Sequence, residues 1–399
     1  MKDQMSDLPR LEEIRRRKRR QKIWTAVIFC LILIILLLWL SGIGELYVTR
    51  AGDLLETLEL RIRPGDGFPV YLSMGTDTVS RAINSALVLL DEDEVCVYSD
   101  TGSLLRSFQH GYARPGIAAG KNRFCIYNRG GRELRMEGRS RTYGVLPMDK
   151  AIQLVVMSAN GNFGVLTQSD SYQAQMTVYD DSMDELFTWY CANDHPVAAA
   201  LSENGKTVAV ACVNSKAGQL VTTVFTADAD GERASLQRTG SLPLQMVYRP
   251  SGKLLVLYDD ALVLYDANLD TSAEFVLSGV VQCCDMQSED GPLISLKSGS
   301  GSLLILLDES LQPVRSVTTE EELRQCVRHG QIWAISRRML YCFSSSAKEK
   351  SDTDTACMLT HAPICLINSS RLLLLTAKQI LTVSSEELQK HIKQEEPLL

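Results

Sequence analysis

The hydrophobic residues of this chain fall mainly in short runs. From about residue 68 onward, apolar or alternating stretches of five to eight residues are each ended by Gly, Asn, Asp or Ser. An apolar repeat with the 3.6-residue period of a helix persists almost nowhere in this part of the chain. Short runs bounded by turn residues are typical of β-strands, so the pattern predicts an all-β body.

The turn signals that end these runs recur at a regular spacing. Seven of them follow a matching apolar run at intervals of 39 to 47 residues, and an eighth lies earlier, at Asn84-Ser85. The seven are centred on Gly120, Gly161, Gly205, Gly252, Gly291, Gly330 and Ser370. A repeat of this length with four strands is expected of a β-propeller blade. The sequence therefore predicts a propeller of eight four-stranded blades, with seven blades as the second choice.

Nearly the same strand sequence occurs twice within one predicted blade, in the stretch SGKLLVLYDDALVLYDANL, from Ser251 to Leu269. LLVLYDD and ALVLYDA are predicted to be its second and third strands, with Leu242–Tyr248 as the innermost strand and Ser272–Ser278 as the outermost. The last unit, from Pro363 to Ser385, shows only three strands. Because an open ring would leave two sheet edges exposed, Phe68–Met74 is predicted to supply the missing outer strand.

A different pattern precedes the repeats. Residues 23–40 contain no charge and only Thr25 as an ordinary polar residue, and the roughly 20 residues to Ile43 match the ~30 Å hydrocarbon core. The sequence predicts a single transmembrane helix over residues 23–43, with a cleavable signal peptide as the alternative. Its membrane-anchoring residues are Ile23, Trp24, Leu31, Leu36, Trp39 and Leu40.

Charge is divided unevenly along the chain. The net charge is −7, yet the first 22 residues carry nine Lys/Arg against four Asp/Glu. The basic cluster beside the predicted helix is a topology signal that places the N-terminus in the cytoplasm and the body outside it, in a single-pass arrangement at the cell membrane. It comprises Arg15, Arg16, Arg17, Lys18, Arg19, Arg20 and Lys22. The alternative is a patch for anionic lipid or nucleic acid, but the acidic body argues against nucleic acid as the main partner.

These features divide the chain into five parts. They are a basic cytoplasmic tail (1–22), the transmembrane helix (23–43), a juxtamembrane stalk (44–67), the propeller (68–385) and a C-terminal tail or short helix (386–399). Ser384 and Glu387 have the spacing of a capping box, which favours a brief helix at the end of the chain.

Catalytic and metal-binding motifs are absent from the sequence. The five histidines belong to no HExxH motif, and no GxSxG motif, phosphate-binding loop or dinucleotide fingerprint occurs. Asp228-Ala229-Asp230-Gly231 resembles the start of a calcium loop but lacks the required Glu, so a plain turn is predicted. The sequence predicts no cofactor and no metal.

The eleven cysteines do not have the spacing of a disulfide framework or a zinc site. Cys96, Cys125 and Cys342 lie at equivalent places within strands, and facing sheets are about 10 Å apart, so thiols of adjacent blades are expected to be joined rarely. Most are predicted to be small buried hydrophobic residues. The side chains of Cys283 and Cys284 are predicted to point to opposite faces of one strand.

Three early stretches carry a family resemblance. SFQHGYARPG and CIYNRGGRELRMEGRSR, within Ser107–Arg141, together with GDGFPVYLS, resemble an uncharacterised family of single-span, membrane-anchored β-propeller proteins of Gram-positive anaerobic bacteria. The resemblance implies a location in the bacterial cell envelope and transfers no catalytic residue. The candidate interaction loop lies within these stretches and is formed by His110, Tyr112, Arg114, Asn128 and Arg129; structural roles are the favoured interpretation, with a ligand site as the alternative.

Together these observations indicate a non-catalytic, membrane-anchored scaffold that binds another envelope protein, or peptide or glycan material. The alternative is an enzyme or sensor with a small ligand in the propeller channel, which requires acidic, His or Arg side chains to converge there. A third possibility reverses the topology and places the ring in the cytoplasm. The sequence does not indicate an oligomeric state.

Overall fold

The computed structural model describes residues 67–72, 75, 77–346, 354–386 and 388. The predicted basic tail, the transmembrane helix and almost all of the stalk lie outside these residues, as do all of the named anchor and topology residues. Within the described residues, no helix combines the length and apolar character needed to cross a bilayer.

The described part of the chain is built almost entirely from β-strands. In chain order these are β1 (Val70–Tyr71), β2 (Val79–Ile83), β3 (Ala86–Leu90), β4 (Glu94–Ser99), β5 (Leu104–Gln109), β6 (Pro115–Ala119), β7 (Phe124–Asn128), β8 (Glu133–Glu137), β9 (Thr142–Pro147), β10 (Ile152–Met157), β11 (Phe163–Thr167), β12 (Ala174–Tyr179), β13 (Glu185–Cys191), β14 (His195–Leu201), β15 (Val208–Lys216), β16 (Gln219–Asp228), β17 (Gly231–Thr239), β18 (Pro243–Tyr248), β19 (Leu254–Tyr258), β20 (Ala261–Tyr265), β21 (Thr271–Val276), β22 (Val281–Asp285), β23 (Leu293–Ser298), β24 (Gly301–Leu307), β25 (Pro313–Thr319), β26 (Gln325–His329), β27 (Gln331–Ile335), β28 (Met339–Phe343), β29 (Thr355–Met358), β30 (Pro363–Asn368), β31 (Leu372–Thr376) and β32 (Gln379–Thr382). A helical turn begins at Ser385, where the amide of Leu388 donates to the carbonyl of Ser384 at 3.1 Å.

These strands form eight four-stranded antiparallel sheets. Seven sheets use four consecutive strands, from β2–β5 in blade 1 to β26–β29 in blade 7, and blade 8 has the order β1-β32-β31-β30. The prediction of eight blades is confirmed, and the second choice of seven is wrong. In blade 5, β18 to β21 lie where the near-duplicated stretch placed them, with β19 and β20 paired through Leu255 and Leu264.

The core consists of eight apolar clusters, one between each pair of neighbouring blades. Strand β19 shows how the sequence produces this arrangement. Leu254 and Val256 pack in the cluster shared with blade 4, whereas Leu255 and Leu257 pack in the cluster shared with blade 6. Because successive side chains point to opposite faces, a sheet covered on both sides needs apolar residues at consecutive positions.

The ring is closed by the first strand. Val70 pairs with Ile380 and Tyr71 with Gln379, and the amide of Leu72 donates to the carbonyl of Lys378 at 2.9 Å. Phe68, Val70 and Leu72 pack against the apolar cluster between blades 8 and 1. The predicted outer strand is confirmed, but its strand pairing covers only Val70–Tyr71 of the predicted Phe68–Met74, and Ser73 and Met74 lie outside the described residues.

The two faces of the ring differ in how neighbouring blades are joined. The turns after the innermost strands are hydrogen-bonded to one another on what we call the lower face. There the amide of Asn84 donates to the carbonyl of Lys121 at 2.6 Å, and the amide of Lys121 donates to the carbonyl of Ala159 at 3.3 Å. The connections between blades, and the turns between second and third strands, form the upper face.

A buried ion-pair network also joins blades 1 and 2. The carboxylate of Glu137, which is fully buried, lies 2.8 Å from Arg106 Nη1 and 2.7 Å from Arg135 Nη2. Both guanidinium groups lie over the ring of Phe108, at 4.3 and 5.0 Å from its centroid. Two cations and an aromatic ring compensate the burial of this carboxylate, which would otherwise be costly.

The described cysteines are free thiols, and Cys96, Cys125 and Cys342 are buried as predicted. Cys283 packs in the cluster between blades 6 and 7 and Cys284 in the one between blades 5 and 6, which confirms their opposite orientation. Asp228–Gly231 is the turn of the β16–β17 hairpin, with the amide of Asp230 donating to Asp228 Oδ1 at 2.9 Å.

Closure of the ring can be tested with two neighbouring substitutions. Val70→Asp places a charge in the cluster between blades 8 and 1, so the free energy of unfolding should fall by about 2–3 kcal/mol. Tyr71→Asp is the matched control, because Tyr71 is 78% exposed and should tolerate the change within about 0.5 kcal/mol. Thermal and urea denaturation of the two variants measure the difference. If the two variants lost equal free energy of unfolding, burial of the Val70 side chain would contribute no more to closure than the exposed Tyr71 side chain does.

Candidate functional site

The predicted interaction loop is brought together on the upper face, between blades 1 and 2. His110 is buried, and its Nδ1 accepts the amide hydrogen of Tyr112 at 2.9 Å. Its Nε2 must then carry the ring proton, which it donates to the carbonyl of Asp91 at 3.1 Å. The Tyr112 hydroxyl donates to Glu133 at 2.7 Å. These contacts give His110 and Tyr112 structural roles.

The second half of the loop is equally well fixed. The amide of Arg114 donates to Asn128 Oδ1 at 3.1 Å, and the amide of Arg129 donates to the carbonyl of Arg114 at 2.9 Å. Only the Arg114 and Arg129 side chains project into solvent. The five residues therefore form a hydrogen-bonded corner of the ring rather than a pocket.

A larger polar site lies on the axis of the ring. A cavity of about 870 Å³ is lined by residues of the innermost strands of blades 1, 2, 5, 6, 7 and 8. Its walls carry both charges, including Arg81, Asp285 and Arg328, together with His329 and Asn368. The alternative function required such a convergence of acidic, His and Arg side chains, and the described residues contain it.

Most polar groups of this cavity bind one another across blades. Asp285 Oδ2 accepts from the amide of Arg328 at 3.0 Å, and the Arg328 guanidinium donates to the carbonyl of Asp290 at 2.8 Å. His329 Nδ1 lies 2.8 Å from Asn368 Oδ1. These contacts fasten blades 6, 7 and 8 at the lower mouth of the channel.

Arg81 differs from the other charged residues of the cavity. Its Nη1 donates to the carbonyl of Ser80 at 2.8 Å, and no carboxylate among the described residues forms an ion pair with it. The side chain lines the cavity and keeps solvent exposure, but the surrounding cavity walls partly desolvate it. Burial accordingly lowers the pKa of Arg81 from its ordinary value, and the nearby Cys365 thiol opposes this shift. An arginine so placed offers donors to an anion.

The upper face carries most of the large apolar side chains that are exposed in the described residues. Val276 and Val280 are 72% and 70% exposed. We call the members on consecutive blades 3 to 6 the upper apolar set; they are Tyr172, Tyr190, Val197, Leu242, Leu244, Val276 and Val280. The rings of Tyr172 and Tyr190 lie 4.8 Å apart. Beside the set, Arg238 forms ion pairs with Asp260 and Glu274 at 3.2 and 2.9 Å.

Sequence reasoning did not find the axial cavity residues or the upper apolar set. The signal was present in part, since Leu242, Leu244 and Val280 lie at the start of inner strands where apolar residues are also expected in the core. Whether such an apolar residue is exposed or buried depends on where the strand begins within the ring, and the sequence does not give that position. In the described residues, no group of three or more His, Cys, Asp or Glu side chains is arranged to hold a metal ion.

Comparison with solved structures supports the fold. BamB from Moraxella catarrhalis superposes with a TM-score of 0.53 at 11% identity, covering 79% of this chain and 98% of that one. Apo AztD from Citrobacter koseri gives 0.53 at 11% identity, with 73% and 88% covered. The C-terminal WD40 domain of Sif2 gives 0.53 at 9% identity, with 80% and 100% covered. At these identities the likeness shows the propeller fold alone.

The family of the chain is shown by sequence. No curated protein matches it significantly. The model of a family of unknown function, DUF5711, matches residues 73–383, which is most of the chain and nearly the whole ring. This chain therefore belongs to the DUF5711 family.

Proposed function

We propose that this protein is a non-catalytic scaffold that binds a protein partner through the upper face of its ring. The observation that carries the proposal is the upper apolar set, which comes from four consecutive blades of one face. Exposed apolar side chains that gather on one surface of a soluble domain mark interaction sites. The partner would present an apolar surface, and the ion pairs around Arg238 would lie at the rim.

The rest of the ring is consistent with a rigid platform. Each blade is fixed to its neighbours by an apolar cluster, and the turns of the lower face are hydrogen-bonded to one another. A surface built on such a frame loses little conformational entropy when it binds. The structural neighbours add the fold and nothing more to this argument.

The upper face can be tested by site-specific photo-crosslinking in cells. A photoreactive phenylalanine analogue at Leu244 or Val280 should capture a discrete partner, because both side chains are exposed within the upper apolar set. The matched control positions are Leu104 and Val314, which are exposed at the lower ends of outer strands. Crosslinked products are identified by mass spectrometry. Capture that is equal at upper and lower positions, or absent from both, would contradict the proposal.

The same proposal includes the membrane. Residues 23–43 are proposed to anchor the chain, with residues 1–22 in the cytoplasm and the ring outside it, in the cell envelope. The support is the uncharged span and the basic cluster that precedes it.

The proposed membrane topology can be tested by protease treatment of intact cells. An impermeant protease should degrade the ring while an epitope tag placed before residue 1 stays protected, and immunoblotting measures both. If the ring is cut only after lysis, the reversed topology is correct.

A second candidate function rests on Arg81. We propose that the axial cavity binds a small anion that carries carboxylate or phosphate groups, because Arg81 faces the cavity without an acidic partner among the described residues. Ser80, Cys365 and Gln245 line the same cavity and offer further polar atoms.

The anion site can be measured by ligand-dependent stabilisation. Inorganic phosphate or citrate should stabilise the protein by ~1.4 kcal/mol at ten times its Kd, and Arg81→Gln should remove this effect. Arg114→Gln is the control, since Arg114 is an exposed arginine of the upper corner. A stabilisation that is the same in all three proteins would place the anion elsewhere.

A further inference from the structure

Two thiols meet across the interface between blades 3 and 4. Cys191 is the last residue of β13, and Cys212 lies in the middle of β15. Their sulfur atoms are 3.6 Å apart. Sheet spacing was expected to keep thiols of adjacent blades apart, but here both side chains project from facing sheets into one apolar cluster.

Hydrogen bonding distinguishes the two thiols. The Cys191 thiol donates to the carbonyl of Asp194 at 3.1 Å, which leaves its sulfur to accept from the Cys212 thiol. This contact lowers the pKa of Cys191, although burial opposes the shift, and it raises the pKa of Cys212. With the proton of Cys212 directed at the Cys191 sulfur, the arrangement favours Cys191 as the attacking thiol.

The covering of the pair is thin on one side. Cys191 is 3% exposed and Cys212 is fully buried, but Ala192 and Asn193, which follow Cys191, are exposed. The same loop is held in place by Asn214, whose Nδ2 donates to Asp194 Oδ1 at 2.6 Å. The Cys191 sulfur therefore belongs to a residue that lies directly beside an exposed loop at the end of β13.

The other cysteines described below lack the combination of a second thiol in contact and an exposed loop beside the first. Cys125 contacts the Met136 sulfur at 3.7 Å, Cys342 donates to Gln331 at 2.6 Å and Cys365 lies 3.1 Å from the Ser80 hydroxyl. The Cys283 thiol does interact with that of Cys326, but Cys283 lies in the middle of the inner strand β22 rather than beside an exposed loop.

We propose that Cys191 and Cys212 form a peroxide-reactive site that closes to a disulfide between blades 3 and 4. The Cys191 thiolate attacks one oxygen of hydrogen peroxide, which breaks the O–O bond, forms a sulfenic acid and releases hydroxide that is protonated to water. The Cys212 sulfur then attacks the Cys191 sulfur and displaces the sulfenic hydroxyl as a second water. Two thiols and one hydrogen peroxide give one disulfide and two waters.

Peptide mapping tests the site directly. Trypsin cleaves after Lys206, so Cys191 and Cys212 fall into separate peptides, 151–206 and 207–216. Brief treatment of the folded full-length protein with hydrogen peroxide, followed by alkylation and non-reducing digestion, should give these two peptides linked. The link should raise Tm by about 5 °C, because it restrains the unfolded chain, and reduction should reverse the rise.

Three variants separate the proposal from general oxidation. Cys191→Ser and Cys212→Ser should each lose the linked peptide and the Tm rise, whereas Cys365→Ser should keep both, since Cys365 has Ser80 rather than a cysteine as its neighbour. In Cys212→Ser, a dimedone adduct should appear on Cys191. Recovery of Cys191 and Cys212 as free alkylated thiols after peroxide, or linkage of either one to a different cysteine, would overturn the proposal.

Discussion

Every sheet in this ring is covered on both faces, and most other features follow from that constraint. A sheet with two covered faces cannot alternate apolar and polar residues in its inner strands, so runs such as Leu254–Tyr258 are apolar throughout. Neighbouring residues then serve different interfaces, as Leu254 and Leu255 do. The constraint also requires closure, because a ring with one gap would expose two apolar faces and a sheet edge. The short strand β1 completes blade 8 and packs in the cluster between blades 8 and 1, so its two residues help to keep the whole ring closed.

This constraint explains why the fold could be predicted from the sequence. Each blade repeats one local pattern, so the strands of blade 5 and the closing strand at Val70 could be located without knowledge of distant contacts. The chemistry of the interfaces could not be located in that way. Glu137 forms an ion pair with Arg106 of the neighbouring blade, and the Cys191 sulfur contacts that of Cys212 in the neighbouring blade. In the sequence, all four residues occupy ordinary strand positions. Spacing along the chain carries no information on how facing sheets are rotated against each other.

The two faces of the ring divide the functional possibilities. On the lower face the turns after inner strands use their polar groups on one another, as Asn160 does when its side chain donates to the carbonyl of Asn204 at 2.8 Å. On the upper face the inner strands begin with exposed apolar residues such as Leu244, whose position beside a register shift with β19 turns it out of the core. Bulges at sheet ends commonly redirect side chains in this way. The upper face consequently presents more exposed apolar side chains than the lower face.

The thiol pair and the upper apolar set share one strand end. Tyr190 is exposed and Cys191, the next residue, is buried, because consecutive side chains of β13 point to opposite sides. The Tyr190 ring contacts Tyr172, and the loop after Cys191 leads to Val197. A covalent bond from Cys191 to blade 4 restrains the segment that presents these side chains, and it does so without altering any of them. The proposed oxidation at the interface and the proposed binding at the surface would be linked by the backbone of a single strand, so each would influence the free energy of the other.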